Sequence, residues 1–186
     1  MLDLPDAIIV TLGIAGDKIK GRTTIQKLIY FESDLNLVAA EYRPHYYGPY
    51  SSEVAGMIQE LIALGFIDEA IETRESTGFS VSDDWKRYHY ELTDDGKEFL
   101  KTVESQFSEE YNKISKLVKI CKDRSNLNPT ILSCAAKVDY IAHQEKTIWD
   151  LEKIKLRAEA LNWNLSPDQI EEATKLLADL YLYNDD

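Results

Sequence analysis

Apolar positions along this chain follow one period, then another, then the first again. Over residues 4–12 they outline a short amphipathic helix, which Gly13 and Gly16 are expected to end. Thr23 stands where it would cap a second helix, whose Ile25, Leu28, Ile29, Phe31 and Leu35 keep helical spacing. Ser51 or Ser52 caps a third, with Val54, Met57, Ile58, Leu61, Ile62 and Leu64 on its apolar stripe and Gly65 as its stop. Residues 66–73 and 87–92 then partly alternate, as two strands do on either side of a polar tip that holds Ser76, Thr77, Gly78, Asp83 and Asp84. Thr93 caps the helix that follows, with Asp94 and Asp95 in its first turn, where the helix dipole favours acids.

Past residue 104 the helical period alone remains. One long helix is expected over 106–122, a loop over 123–128, and a second helix opened by Pro129 at its first turn. A third covers about 146–163. The last starts at the capping box Ser166-Pro167-Asp168-Gln169 and buries Ile170, Ala173, Leu177 and Leu180. Three helices, a hairpin and a returning helix are the order of a winged helix-turn-helix. The pattern therefore predicts a mainly α protein: a winged helix-turn-helix domain over 1–104, then a helical bundle over 105–186 that packs on it or dimerises.

Charge narrows what such a protein could bind. Against 21 basic residues stand 33 acidic ones, a net of −12, so phosphates would be repelled by most of the surface. DNA contact needs a local basic patch. Lys18, Lys20, Arg22 and Lys27 gather at the turn into the second helix, and Lys86 and Arg87 sit on the second strand of the wing. The third helix, which would enter the major groove, offers Ser51, Ser52 and Gln59 beside Glu53 and Glu60, with no Lys or Arg. An aromatic loop lies between the second and third helices. Tyr42, His45, Tyr46, Tyr47 and Tyr50 surround Gly48-Pro49 there, as a surface for a protein partner or as packing between the helices.

Catalytic and metal signals are weak. His45, His89 and His143 are far apart, no ligand or nucleophile motif is present, and neither an enzyme nor a cofactor is expected. Cys121 and Cys134 have apolar helical neighbours and make no disulfide framework, which fits a reducing compartment. Asp3 and Asp6 stand where a secretory signal would be basic, and no apolar run reaches membrane length. A cytoplasmic protein without a membrane partner is expected.

The segments RTTIQKLIYF, YYGPYS, LIALGFI and AAKVDYI…AEALNWNLSPDQIEEATKLLADL together resemble the YwgA-like group of small archaeal and bacterial proteins, over most of the chain. QKLIYF…YGPYS has a looser likeness, over residues 20–70, to the Panacea (SocA-like) antitoxin domain. The first resemblance implies the winged-helix fold, and the second implies neutralisation of a toxin through protein contact. Two functions are expected on these grounds. One is a DNA-associated transcriptional regulator, homodimeric through its helical half and bound to double-stranded DNA. The other is a protein-interaction module, antitoxin-like or a defence-associated adaptor, that does not bind DNA.

Overall fold

The first apolar run is buried on almost every side. In the computed structural model, which describes residues 1–16, 18–74, 85–146 and 150–184, helix α1 (Leu4–Ala15) is the centre of the molecule. Ala7, Ile8, Ile9, Val10, Thr11 and Leu12 are all inaccessible to solvent. The amphipathic reading was therefore too modest, because α1 has neighbours around its whole circumference. Nor does the helix stop at Gly13. A Cβ there would lie 2.3 Å from Leu100 Cδ2, so the glycine serves close packing against a later helix while α1 runs on to Gly16, at φ 112°.

What looked like a basic turn is a strand, β1 (Lys18–Lys20), followed by α2 (Arg22–Asp34). Gly21, not Thr23, precedes the first turn of α2. Helix α3 (Ser52–Ala63) is capped by Ser51, whose hydroxyl accepts from the Val54 amide. Strands β2 (Ile67–Arg74) and β3 (Trp85–Leu92) pair antiparallel, Ile67 opposite Leu92. The expected polar tip, 75–84, lies outside the described residues. β1 adds to the free side of β3, Ile19 opposite Tyr90, giving a three-stranded antiparallel sheet in the order β1-β3-β2. Ile19, Ile67, Tyr90 and Leu92 are its buried side chains.

Thr93 caps α4 (Asp94–Gln106) through the Gly96 amide. Phe107 then separates α4 from α5 (Ser108–Ser125), so the helix start expected near 106 is displaced by two residues. α5 also outruns its expected end: Asn126 closes it in the left-handed region at φ 50°, a conformation Asn tolerates well. α6 (Pro129–Glu145) opens at the predicted proline under an Asn128 cap. α7 is shorter than expected, Leu151–Ala160, with Asp150 as its cap, and 147–149 lie outside the described residues. The reciprocal Ser166–Gln169 bonds of the capping box form before α8 (Pro167–Asn184).

One continuous set of buried side chains runs through both halves of the chain. α1 packs on α4 and α5, α2 on α6, and α6 on α8. Among the described residues, no helix is long and apolar enough to cross a membrane.

Candidate functional site

The aromatic loop is held more tightly than a surface loop needs to be. Its two ends pair, with Arg43 N donating to the Tyr50 carbonyl at 3.0 Å and Tyr50 N to the Arg43 carbonyl at 2.9 Å. Inside that bridge, Gly48 N donates to the His45 carbonyl at 2.9 Å and His45 N to the Gly48 carbonyl at 3.1 Å. Gly48 sits at φ 94°, and a Cβ on it would meet Lys137 Cγ at 3.1 Å. Turn conformation and close approach both require glycine here.

Four side chains from other elements then fix the loop. Gln26 of α2 makes a two-way clasp, its Nε2 donating to the Ser51 carbonyl at 2.9 Å and its Oε1 accepting from Ser51 N at 3.0 Å. The neighbouring Lys27 donates its Nζ to the Pro49 carbonyl at 2.5 Å. Ser133 of α6 donates to the Tyr47 carbonyl at 3.0 Å, and Trp163 Nε1 donates to the His45 carbonyl at 2.7 Å. Each contact satisfies a loop carbonyl that would otherwise need water. The two sequence words QK and YGPYS are thus the halves of one clasp.

Held this way, the loop presents aromatic rings to solvent. Tyr46 is 73% exposed, Tyr47 58% and Tyr50 38%. Tyr46 and Tyr47 meet edge to face with centroids 4.9 Å apart, and the exposed His45 leans on Tyr50 at 5.2 Å. Tyr42 departs from the expected surface. It is turned inward, its ring 5.1 Å from Tyr30 and its hydroxyl 3.5 Å from the Gln26 carbonyl.

The expected nucleic-acid-binding residues are placed differently from one another. Lys27 is a correction: it is 2% exposed, and burial, with the nearby Lys137 charge, pushes its ammonium down to about 7. Ser51 is likewise buried, spent on its cap and the Gln26 clasp. Lys18 lies 3.5 Å from Glu91 across the β1–β3 ladder. Arg22 donates to the Tyr90 hydroxyl, reaches Glu69 at 3.4 Å and lies 3.6 Å over the Tyr88 ring. Lys20, Ser52 and Gln59 are exposed, the last two on α3 beside Glu53 and Glu60. Lys86 and Arg87 lie on β3 by backbone, opposite Thr73 and Glu72, but their side chains fall outside the described ones.

A second polar group joins α2, α6 and α8. The Tyr181 hydroxyl lies 2.5 Å from both Asp34 Oδ2 and Asp139 Oδ1, and Tyr30 donates to Asp139 Oδ2 at 2.8 Å. Burial and the Asp139 charge raise the Asp34 carboxyl, against the Tyr181 hydrogen bond and the His143 charge, which lower it. His143 Nδ1 stands 3.2 Å from Asp34 and 3.5 Å from Asp139. Its hydrogen bond to Asp139 and the two acidic charges lift it to about 9. Asp34, Asp139 and His143 bring ligand atoms within 4.8 Å of one another and could hold a cation, although the two tyrosines already use Asp139. Sequence spacing hid this group, because Asp34 and His143 are more than a hundred residues apart.

Gln26, Ser133, Lys137 and Trp163 were not among the expected site residues. Only the pairing of QK with YGPYS hinted at one of them. Cys121 and Cys134 are buried free thiols, both raised by burial.

Scaffold and loop together define a class: a small α-rich protein with a three-stranded antiparallel sheet and a clasped aromatic loop. Within it the chain is similar to the uncharacterised protein YwgA of Bacillus subtilis (strain 168), 37% identical over 84 residues. That stretch is 45% of this chain and 46% of the relative, so the chain spans about half the length of the curated relative it matches. The resemblance to YwgA carried by the motifs is thereby supported over that stretch. No family model matches it.

Proposed function

We propose that this is a non-catalytic protein-interaction module that docks a partner on the ridge formed by Tyr46, Tyr47 and Tyr50. The observation that carries the reading is a fixed loop with exposed rings: three tyrosines are held outward by four side chains that bond its backbone carbonyls. Pre-organised aromatic side chains lose little entropy on binding and supply the anchors of most interfaces. Lys27, Glu32 and Asp139, all buried, are shut off from solvent and unsuited to proton transfer with a substrate. Free buried cysteines suit the reducing, cytoplasmic setting we assign to it.

Residues 1–104 we infer to be a winged helix, here used as a scaffold. The order α1-β1-α2-α3-β2-β3 and the β1-β3-β2 sheet support that inference. They also favour one second reading, a DNA-associated regulator with two copies joined through the helical half. Leu151, Leu156 and Leu182 are exposed apolar side chains there that a second copy would cover. Against it stand the paired Lys18 and Arg22, the buried Lys27 and an acidic α3.

Comparative affinity capture decides between the readings. The wild type should enrich a defined protein set that the Tyr46→Ala/Tyr50→Ala variant loses at unchanged thermal stability. Equal recovery by both overturns the ridge. Titration with duplex DNA at ~50 mM salt, where phosphate binding is strongest, should show no saturation; tight, salt-sensitive binding would favour the regulator.

A further inference from the structure

Beside the ridge, under the rings of Tyr46 and Tyr47, lies a cleft of about 470 Å³ between the aromatic loop, α6 and the segment leading into α8. That is the size of pocket that takes a small organic molecule. Apart from the two rings, its chemistry comes from Lys137, Ser133, Asn162 and Asn164, and among the described residues no acidic side chain lines it. In a chain with 33 acids that is an uncommon local balance.

Lys137 holds the charge of the cleft. Its stem packs against Gly48, its ammonium stands 5.7 Å from the Trp163 ring, and burial lowers its affinity for the proton. Its charge helps to lower the buried Lys27, whose ammonium donates to the Pro49 carbonyl. An anion in the cleft would give Lys137 a counter-charge. Amide and hydroxyl groups on the walls add donors for its remaining oxygens.

We propose that this cleft binds a small aromatic anion, with the anionic group at Lys137 and its ring against Tyr46 and Tyr47. The site goes beyond the partner-docking reading and holds whether or not a protein occupies the ridge. The anionic group can be a carboxylate or a phosphate ester, and the probes separate the two.

Isothermal titration calorimetry of the full chain tests it with benzoate and phenyl phosphate as anionic probes. Benzamide and acetate serve as controls that lack the charge and the ring. At least one aromatic anion should bind ~10-fold tighter than either control, and the preferred one identifies the group. Lys137→Met should weaken that binding ~10-fold or more, while Lys137→Arg, which keeps the charge, should stay within ~3-fold of wild type. Thermal unfolding of each variant verifies the fold, and the Arg variant keeps the test decisive if the Met variant is unstable. No saturable binding by either anion up to ~5 mM, no tighter binding of the preferred anion than of benzamide, or full binding by a folded Met variant would overturn the site.

Discussion

Lys27→Met is the most revealing single change. The wild-type ammonium is 2% exposed and sits at about 7 instead of 10.5, through burial first and Lys137 second. That lowering corresponds, at about 1.36 kcal/mol per decade, to roughly 5 kcal/mol of disfavour for the charged form in the folded state. The sign follows from proton counts. Between pH 7 and 10.5 the unfolded chain holds this proton and the folded chain does not, so Lys27 makes stability rise with pH across that window. Below pH 7 the whole penalty is present. Methionine keeps the stem without a proton to lose, but leaves the Pro49 carbonyl without its donor, a loss of about 1–3 kcal/mol. At pH 6.5 the variant should therefore be the more stable protein by on the order of 2–3 kcal/mol. Its lead should shrink and then reverse toward pH 10. Urea unfolding of both proteins at pH 6.5, 8 and 9.5 reads this as a difference, in which the titrations of His143 and Glu32 cancel. A wild-type-minus-variant difference that stays flat with pH, or slopes the other way, would refute a charged group buried without a counter-ion.

His143 predicts the opposite slope. Raised to about 9 from 6.5, it contributes stability that is fully present below pH 6.5 and is lost as pH climbs through 9. Its side chain is 56% exposed, so solvent screening holds the effect to about 1 kcal/mol or less. Replacement by Gln should flatten that part of the wild-type urea series. Gly48→Ala forces a Cβ toward Lys137 Cγ at a φ of 94°. It should lower stability by about 1–2 kcal/mol, roughly 3–8 °C in Tm by calorimetry, and reduce capture of any partner that needs the fixed ridge.

Local chemistry was legible in the sequence, and long-range satisfaction was not. Ser51, Thr93, Pro129 and the Ser166–Gln169 box announced helix starts because a cap acts within three residues of itself. The two strands of the hairpin followed from alternation. Gly13 misled because its reason lies 87 residues away, in the approach of Leu100. Thr23 misled because Gly21 could start the helix first. Lys27 misled most. A lysine in a basic run reads as solvated, and only the tertiary fold shows that its ammonium is spent on a carbonyl 22 residues on.

That misreading also explains how a resemblance can be visible before its cause. QK and YGPYS are separated by a helix and a loop, so nothing in periodicity couples them. The coupling is a count of carbonyls. A tight loop that turns its tyrosines outward must turn its backbone inward, and the carbonyls of His45, Tyr47, Pro49 and Ser51, buried or partly so, each take a donor. Trp163, Ser133, Lys137's neighbour Lys27 and Gln26 supply the donors for those four. Two come from α2 and two from the far half of the chain, so the loop cannot be held by residues 1–104 alone. If the exposed rings are the working surface, the helical half is part of the site, because it keeps the loop in place from behind. A truncation at 104 should therefore lose the ridge even where the sheet and first three helices persist.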